Sequence, residues 1–93
     1  MNIYQSRSFE KKVKKMSKSE KDTLDREIRR IAENISMGEE KKGDLRGVFV
    51  HKFKIETIQY LLAYRKVGGN LELLMIGPHE NYYRDLKQYL KER

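Results

Sequence analysis

The chain has 93 residues, with 21 Lys or Arg against 14 Asp or Glu and a formal net charge of +7. That length supports one core only, and a hydrophobic fraction of 38% keeps it small, so a single domain spanning 1–93 is expected. No cysteine is present, which removes disulfides, thiol catalysis and thiolate metal sites. Two histidines cannot by themselves build a zinc site, and no acidic cluster resembles a calcium loop, so neither a metal nor another cofactor is expected. The excess positive charge points to an acidic partner. Nucleic acid suits it better than a membrane, because no apolar run approaches spanning length. Met1-Asn2-Ile3-Tyr4-Gln5-Ser6 lacks an apolar signal segment, so a cytoplasmic protein is expected.

In chain order, Asn2–Ser6 reads as an edge strand with Ile3 and Tyr4 as its apolar residues. Helical spacing follows over Arg7–Met16, with Ser8 as the expected cap and Phe9, Val13 and Met16 facing inward. Ser17-Lys18-Ser19-Glu20 has the form of a capping box. The helix it opens runs to about Ser36 on a stripe of Leu24, Ile28, Ile31, Ala32 and Ile35. The charged side of this helical hairpin reads as a solvated face. Met37–Asp44 reads as a loop, with Gly38 at the helix end and Gly43 at a turn. Strands are then expected over Val48–Glu56 and Ile58–Lys66, with a tight turn near Thr57. Val67-Gly68-Gly69-Asn70 signals a hairpin into a third strand, Leu71–Ile76, which Gly77-Pro78 ends. His79–Glu92 closes the chain as a helix carrying Tyr82, Leu86, Tyr89 and Leu90. The expected class is α+β: a small antiparallel sheet packed by an N-terminal helical hairpin and a C-terminal helix.

Alternation along the first long strand puts Phe49, His51, Phe53 and Ile55 on one face and Val48, Val50, Lys52 and Lys54 on the other. Lys52 and Lys54 then project from one side roughly 6–7 Å apart, close to the spacing of successive phosphates on a nucleic-acid strand. On the next strand Gln59, Leu61, Ala63 and Arg65 share a face, and Arg65 becomes a neighbour of the lysine pair if the register allows it. Lysines on an open sheet also serve as protection against edge pairing. His79 follows a strand end, where it can lean over the sheet as a proton-transfer group or remain a solvated cap. His51, on the apolar face, reads as a core or rim residue. Of Tyr82 and Tyr83, one is expected in the core and the other is free to stack on a base. Glu56 is the nearest carboxylate. Together these groups suit metal-free RNA cleavage by internal attack of a 2′-OH, with cations on the phosphate and an acid for the departing 5′ oxygen.

The ordered set of Phe9-Glu10-Lys11-Lys12, Leu45-Arg46-Gly47, Lys52-Phe53-Lys54-Ile55, Tyr60–Arg65 and Ile76–Leu86 resembles the RelE/ParE superfamily of bacterial type II toxins over nearly the whole chain. The most specific segment, from Ile76-Gly77-Pro78-His79 to Leu86, is similar to the RelE/StbE branch of mRNA interferases. The resemblance implies the order β-α-α-β-β-β-α and a ribosome-dependent endoribonuclease that cuts message in the A site. It also implies a cognate antitoxin that covers the basic site and represses the shared operon. By position it assigns Lys52 and Lys54 to the catalytic lysine pair, His79 to the general acid and Tyr83 or Tyr82 to the aromatic that orients the nucleotide. Arg46 and Arg65 join the tyrosines as substrate-binding candidates. Leu61 stands where RelE proper has a phosphate-binding arginine, which leaves a non-catalytic, gyrase-inhibiting ParE-like toxin as the alternative.

Overall fold

Two serines set the N-terminal helices. In the computed structural model, which describes residues 1–92, Ser6 rather than Ser8 caps α1 (Arg7–Lys14), its Oγ accepting the Phe9 N–H at 3.0 Å. The cap lies two residues earlier than expected because the preceding strand already holds Ser6. Its N–H donates to the Leu73 carbonyl and its hydroxyl to that of Leu74. Ser17 and Glu20 form the expected capping box at the start of α2 (Lys18–Glu33), with reciprocal bonds of 3.2 and 2.8 Å. Asn34, at φ −147° and ψ 89°, ends α2 short of Ser36, and Ile35–Met37 forms one 3₁₀ turn.

The sheet has five strands in the spatial order β1-β5-β4-β3-β2. The long strands β3 (Phe49–Ile55), β4 (Ile58–Val67) and β5 (Asn70–Pro78) form the expected antiparallel meander. The sheet as a whole is mixed, because β1 (Ile3–Gln5) pairs parallel to β5. The two helices and three strands that lie between β1 and β5 in the chain provide the crossover that a parallel pair requires. Inside the expected 37–44 loop lies β2 (Glu39–Glu40), antiparallel to β3. Two glutamates carry no strand signal, and here tertiary pairing overrides propensity.

Period-two alternation divides the core in two. Phe53, Ile55, Leu62, Tyr64, Leu71, Leu73 and Ile76 pack under Phe9, Leu24 and Ile31 of the helical hairpin. Val48, Val50, Leu61, Ala63, Leu74 and Met75 pack under Tyr82 and Leu86 of α3 (Tyr82–Lys91). Tyr64 ties the hairpin's end to the sheet. Its Oη donates to the Ile35 carbonyl and accepts the Gly38 N–H at 2.9 Å. A Cβ on Gly38 would stand 2.6 Å from that oxygen, so glycine is required there by close approach. Ala63 faces Met75 while Tyr64 faces Leu73, and this bulge turns both Leu74 and Met75 toward α3.

His51 is indeed a core residue. Its ring stacks on Phe53 at 5.6 Å, and its Nε2 lies 2.7 Å from Glu27 Oε1 of α2. Burial alone would raise the Glu27 pKa, but the bond from His51 and the nearby Arg30 charge more than offset it, leaving the carboxyl below its ordinary 4.5. A depressed folded-state pKa stabilises the protein fully above the unfolded value, and the effect is lost as pH falls through the folded one. Glu27→Gln is therefore expected to cost about 1–2 kcal/mol at pH 7. Urea titrations should show the gap from wild type closing as pH drops below about 4.5.

Candidate functional site

The α3 side of the sheet changes character along its length. Val50, Ala63 and Met75 form one buried row. In the next, Lys52 pairs with Leu61 and Leu61 with Gly77; Leu61 and Gly77 are buried while Lys52 is exposed. Beyond it Lys54 pairs with Gln59, and the His79 N–H donates to the Gln59 carbonyl at 3.3 Å. Lys54, Gln59 and His79 are all exposed. Alternation from Leu61 and Gly77 puts Gln59 and His79 on the face of Lys52 and Lys54. Two strand spacings separate the Lys54 and His79 backbones, about 10 Å, a gap that both side chains can reach into.

Tyr83, in the first turn of α3, closes this end. Its ring meets His79 edge-on at 6.4 Å and Tyr82 at 5.8 Å. Lys41 Nζ stands 4.9 Å from the ring centre, within cation–π range. Lys41 also pairs with Glu39 on β2. The Glu39 carboxylate holds the Lys41 ammonium above its ordinary 10.5 despite partial burial, and Tyr83 adds to the effect. In return Lys41, first by hydrogen bond and then by charge, and Lys52 by charge, keep Glu39 below its ordinary value. The result is a cationic shelf of Lys41, Lys52 and Lys54 with one imidazole and one half-buried phenol beside it.

Other expected members lie elsewhere. Arg65 Nε bonds Glu72 Oε1 at 2.7 Å, about 20 Å along β4 from Gln59. Arg46 is exposed in the turn after Gly43–Leu45, before β3 begins. Tyr82 is 2% exposed and its Oη donates to the Met75 carbonyl at 2.6 Å. Burial pushes its pKa far above the ordinary phenol value, so it belongs to the core and offers no stacking surface. Glu56 occupies the exposed β3–β4 turn at φ +57°. Lys41 and Glu39 were missed because their segment reads as loop, although their i, i+2 spacing is that of a strand face. Among the described residues no group of three or more His, Asp or Glu could hold a metal ion, and no helix is long and apolar enough to cross a membrane.

A mixed sheet with a helical hairpin on one face, a single helix on the other and an open basic end is a fold shared with toxins of the RelE/ParE superfamily. Residues 3–87 match the family described as the ParE-like toxins of type II bacterial toxin–antitoxin systems, and the chain belongs to that family. The fold is similar to that of a chain in the intact E. coli RelBE toxin–antitoxin complex. There the TM-score is 0.68 at 15% identity, covering 85% of this chain and 96% of that one. The isolated E. coli RelE toxin gives 0.66 at 15% identity, covering 94% and 96%. No curated protein matches the sequence.

The two tyrosines should separate cleanly. Tyr83 Oη is buried without a hydrogen bond of standard geometry among the described residues, and Lys41 Nζ beside its ring is a polar neighbour. Tyr82→Phe is expected to cost about 1–2 kcal/mol in urea unfolding, and Tyr83→Phe less than about 0.5 kcal/mol. Any loss of toxicity in Tyr83→Phe would then be a functional effect of the hydroxyl.

Proposed function

We propose that this toxin is a metal-independent mRNA interferase that cuts translated message in the ribosomal A site. One juxtaposition supports the proposal: Lys52 and Lys54 of β3 and His79, just past the end of β5, share one uncovered end of the sheet beside Tyr83. Attack of a 2′-OH on its own phosphate needs a base, charge stabilisation on the phosphoryl oxygens and an acid for the leaving 5′ oxygen. One lysine of the pair, as its neutral amine, takes the 2′ proton, and the other, as its ammonium, covers the phosphate charge. His79 donates to the 5′ oxygen. Tyr83 orients the nucleotide, and DNA is spared because it lacks the 2′-OH. A cognate antitoxin, of the kind present in the E. coli RelBE complex, would neutralise the toxin by covering this basic end and would repress the shared operon in the cytoplasm.

Leu61 favours a second reading. It is fully buried at the position where an arginine would bind phosphate in RelE proper, and the matched family is described as ParE-like. A toxin that inhibits DNA gyrase needs no ribonuclease groups. Primer-extension mapping on translating ribosomes separates the two. The interferase predicts cuts within the A-site codon, and His79→Ala lowers their rate by about 10²–10⁴-fold. His79 is exposed, so the unfolding midpoint should stay within about 0.5 kcal/mol of wild type. Intact message together with blocked supercoiling would identify the gyrase inhibitor instead.

A further inference from the structure

Because Leu61 lies in the core beneath α3, its row brings no charge to the site beyond Lys52. The edge strand supplies one from another part of the chain. Glu39 pairs with Val50, so its side chain lies diagonal to Lys52 on the same face, within about 7–8 Å. Lys41 follows two residues on, and its N–H donates to the Val48 carbonyl at 2.8 Å. This bond holds the segment against β3. The Lys41 side chain is 20% exposed and that of its partner Glu39 is 69% exposed. The cation is thus built into the fold, packed over Tyr83, while the carboxylate sits at the surface between two ammonium groups. A carboxylate held below its ordinary pKa by Lys41 and Lys52 is a poor proton acceptor. It does, however, make the same charge-assisted contacts with ammonium that a phosphate oxygen would make.

We propose that Lys41 and Lys52 form a phosphate-binding subsite for the RNA strand, and that the Glu39 carboxylate fills it as an internal stand-in which a backbone phosphate displaces. This rests on the interferase proposal and assigns the cation that Leu61 does not provide. Glu39 opposes polyanion binding until it is displaced, and it keeps the Lys41 ammonium aligned over the Tyr83 ring in the meantime. Removing the two partners should therefore have opposite effects. A purely structural ion pair would instead make both losses harmful.

The test is binding of an uncleavable 2′-O-methyl RNA trinucleotide to the full chain across a salt series. In Lys41→Gln the slope of log K against log salt should become shallower by about 0.7, the value for one lost phosphate contact on a single strand. Lys41→Arg should keep the wild-type slope. Glu39→Gln should bind more tightly, by roughly 3–10-fold for one displaced ion-pair competitor. Glu40→Gln is the control for net charge, since Glu40 pairs with Phe49 and lies on the opposite face. It should tighten binding less. An unchanged slope in Lys41→Gln, or Glu39→Gln binding no tighter than Glu40→Gln, overturns the subsite. Ribosome-dependent cleavage by wild type is scored separately. Cleavage with the wrong binding pattern removes the subsite alone, and the expected binding pattern without cleavage removes the interferase reading alone.

Discussion

The pairing of β3 with β4 is the constraint on which the rest depends. Lys52 stands opposite Leu61 and Lys54 opposite Gln59. A slip of one residue would turn both lysines toward the helical hairpin and expose Phe53 and Ile55. Burying unpaired ammonium groups costs several kcal/mol each, far more than a strand could recover elsewhere. The two-residue turn at Glu56 and Thr57 and the aromatic stack of Phe53 on Tyr60 at 6.3 Å lock the same alignment.

Why that face is half core and half site follows from lengths. The ten residues of α3 span about 15 Å, whereas the ten of β4 span about 33 Å. One short helix cannot cover such a strand. The sixteen-residue α2, with α1 beside it, covers the opposite face more fully. Asn81, at φ +58°, delays the start of α3 until Tyr82, which leaves His79 on the last rung of the sheet, where β5 has just ended. The open end is therefore a consequence of where α3 begins. Side chains that would be an expensive burden under a helix are free to carry charge there.

Much of this was legible in the sequence, for identifiable reasons. Alternation in Phe49–Ile55 and Ile58–Tyr64 is strong enough to assign faces, and the Ser17–Glu20 box marks α2 by its hydrogen-bonding chemistry. What escaped depends on partners distant in sequence. Ser8 reads as the cap of the first helix, and only the bonds from Ser6 to β5 move the cap to Ser6. Arg65 shares the lysines' face by alternation, but Glu72 across the strand holds it at the far end. Tyr82 and Tyr83 are neighbours of one type, and the start of α3 determines which of them enters the core. Glu39 and Lys41 became visible only once β2 was found paired with β3.

If the lysines and the imidazole act on one phosphodiester, they form a single catalytic unit, and the sharpest probe of that is a double-mutant cycle on ribosome-dependent cleavage with Lys54→Ala and His79→Ala. Groups that work as a unit lose their effect together, so the double variant should be about as slow as the slower single variant. Rate losses that simply multiply would mean that the two side chains serve separate steps or sites, and would contradict a shared scissile phosphate.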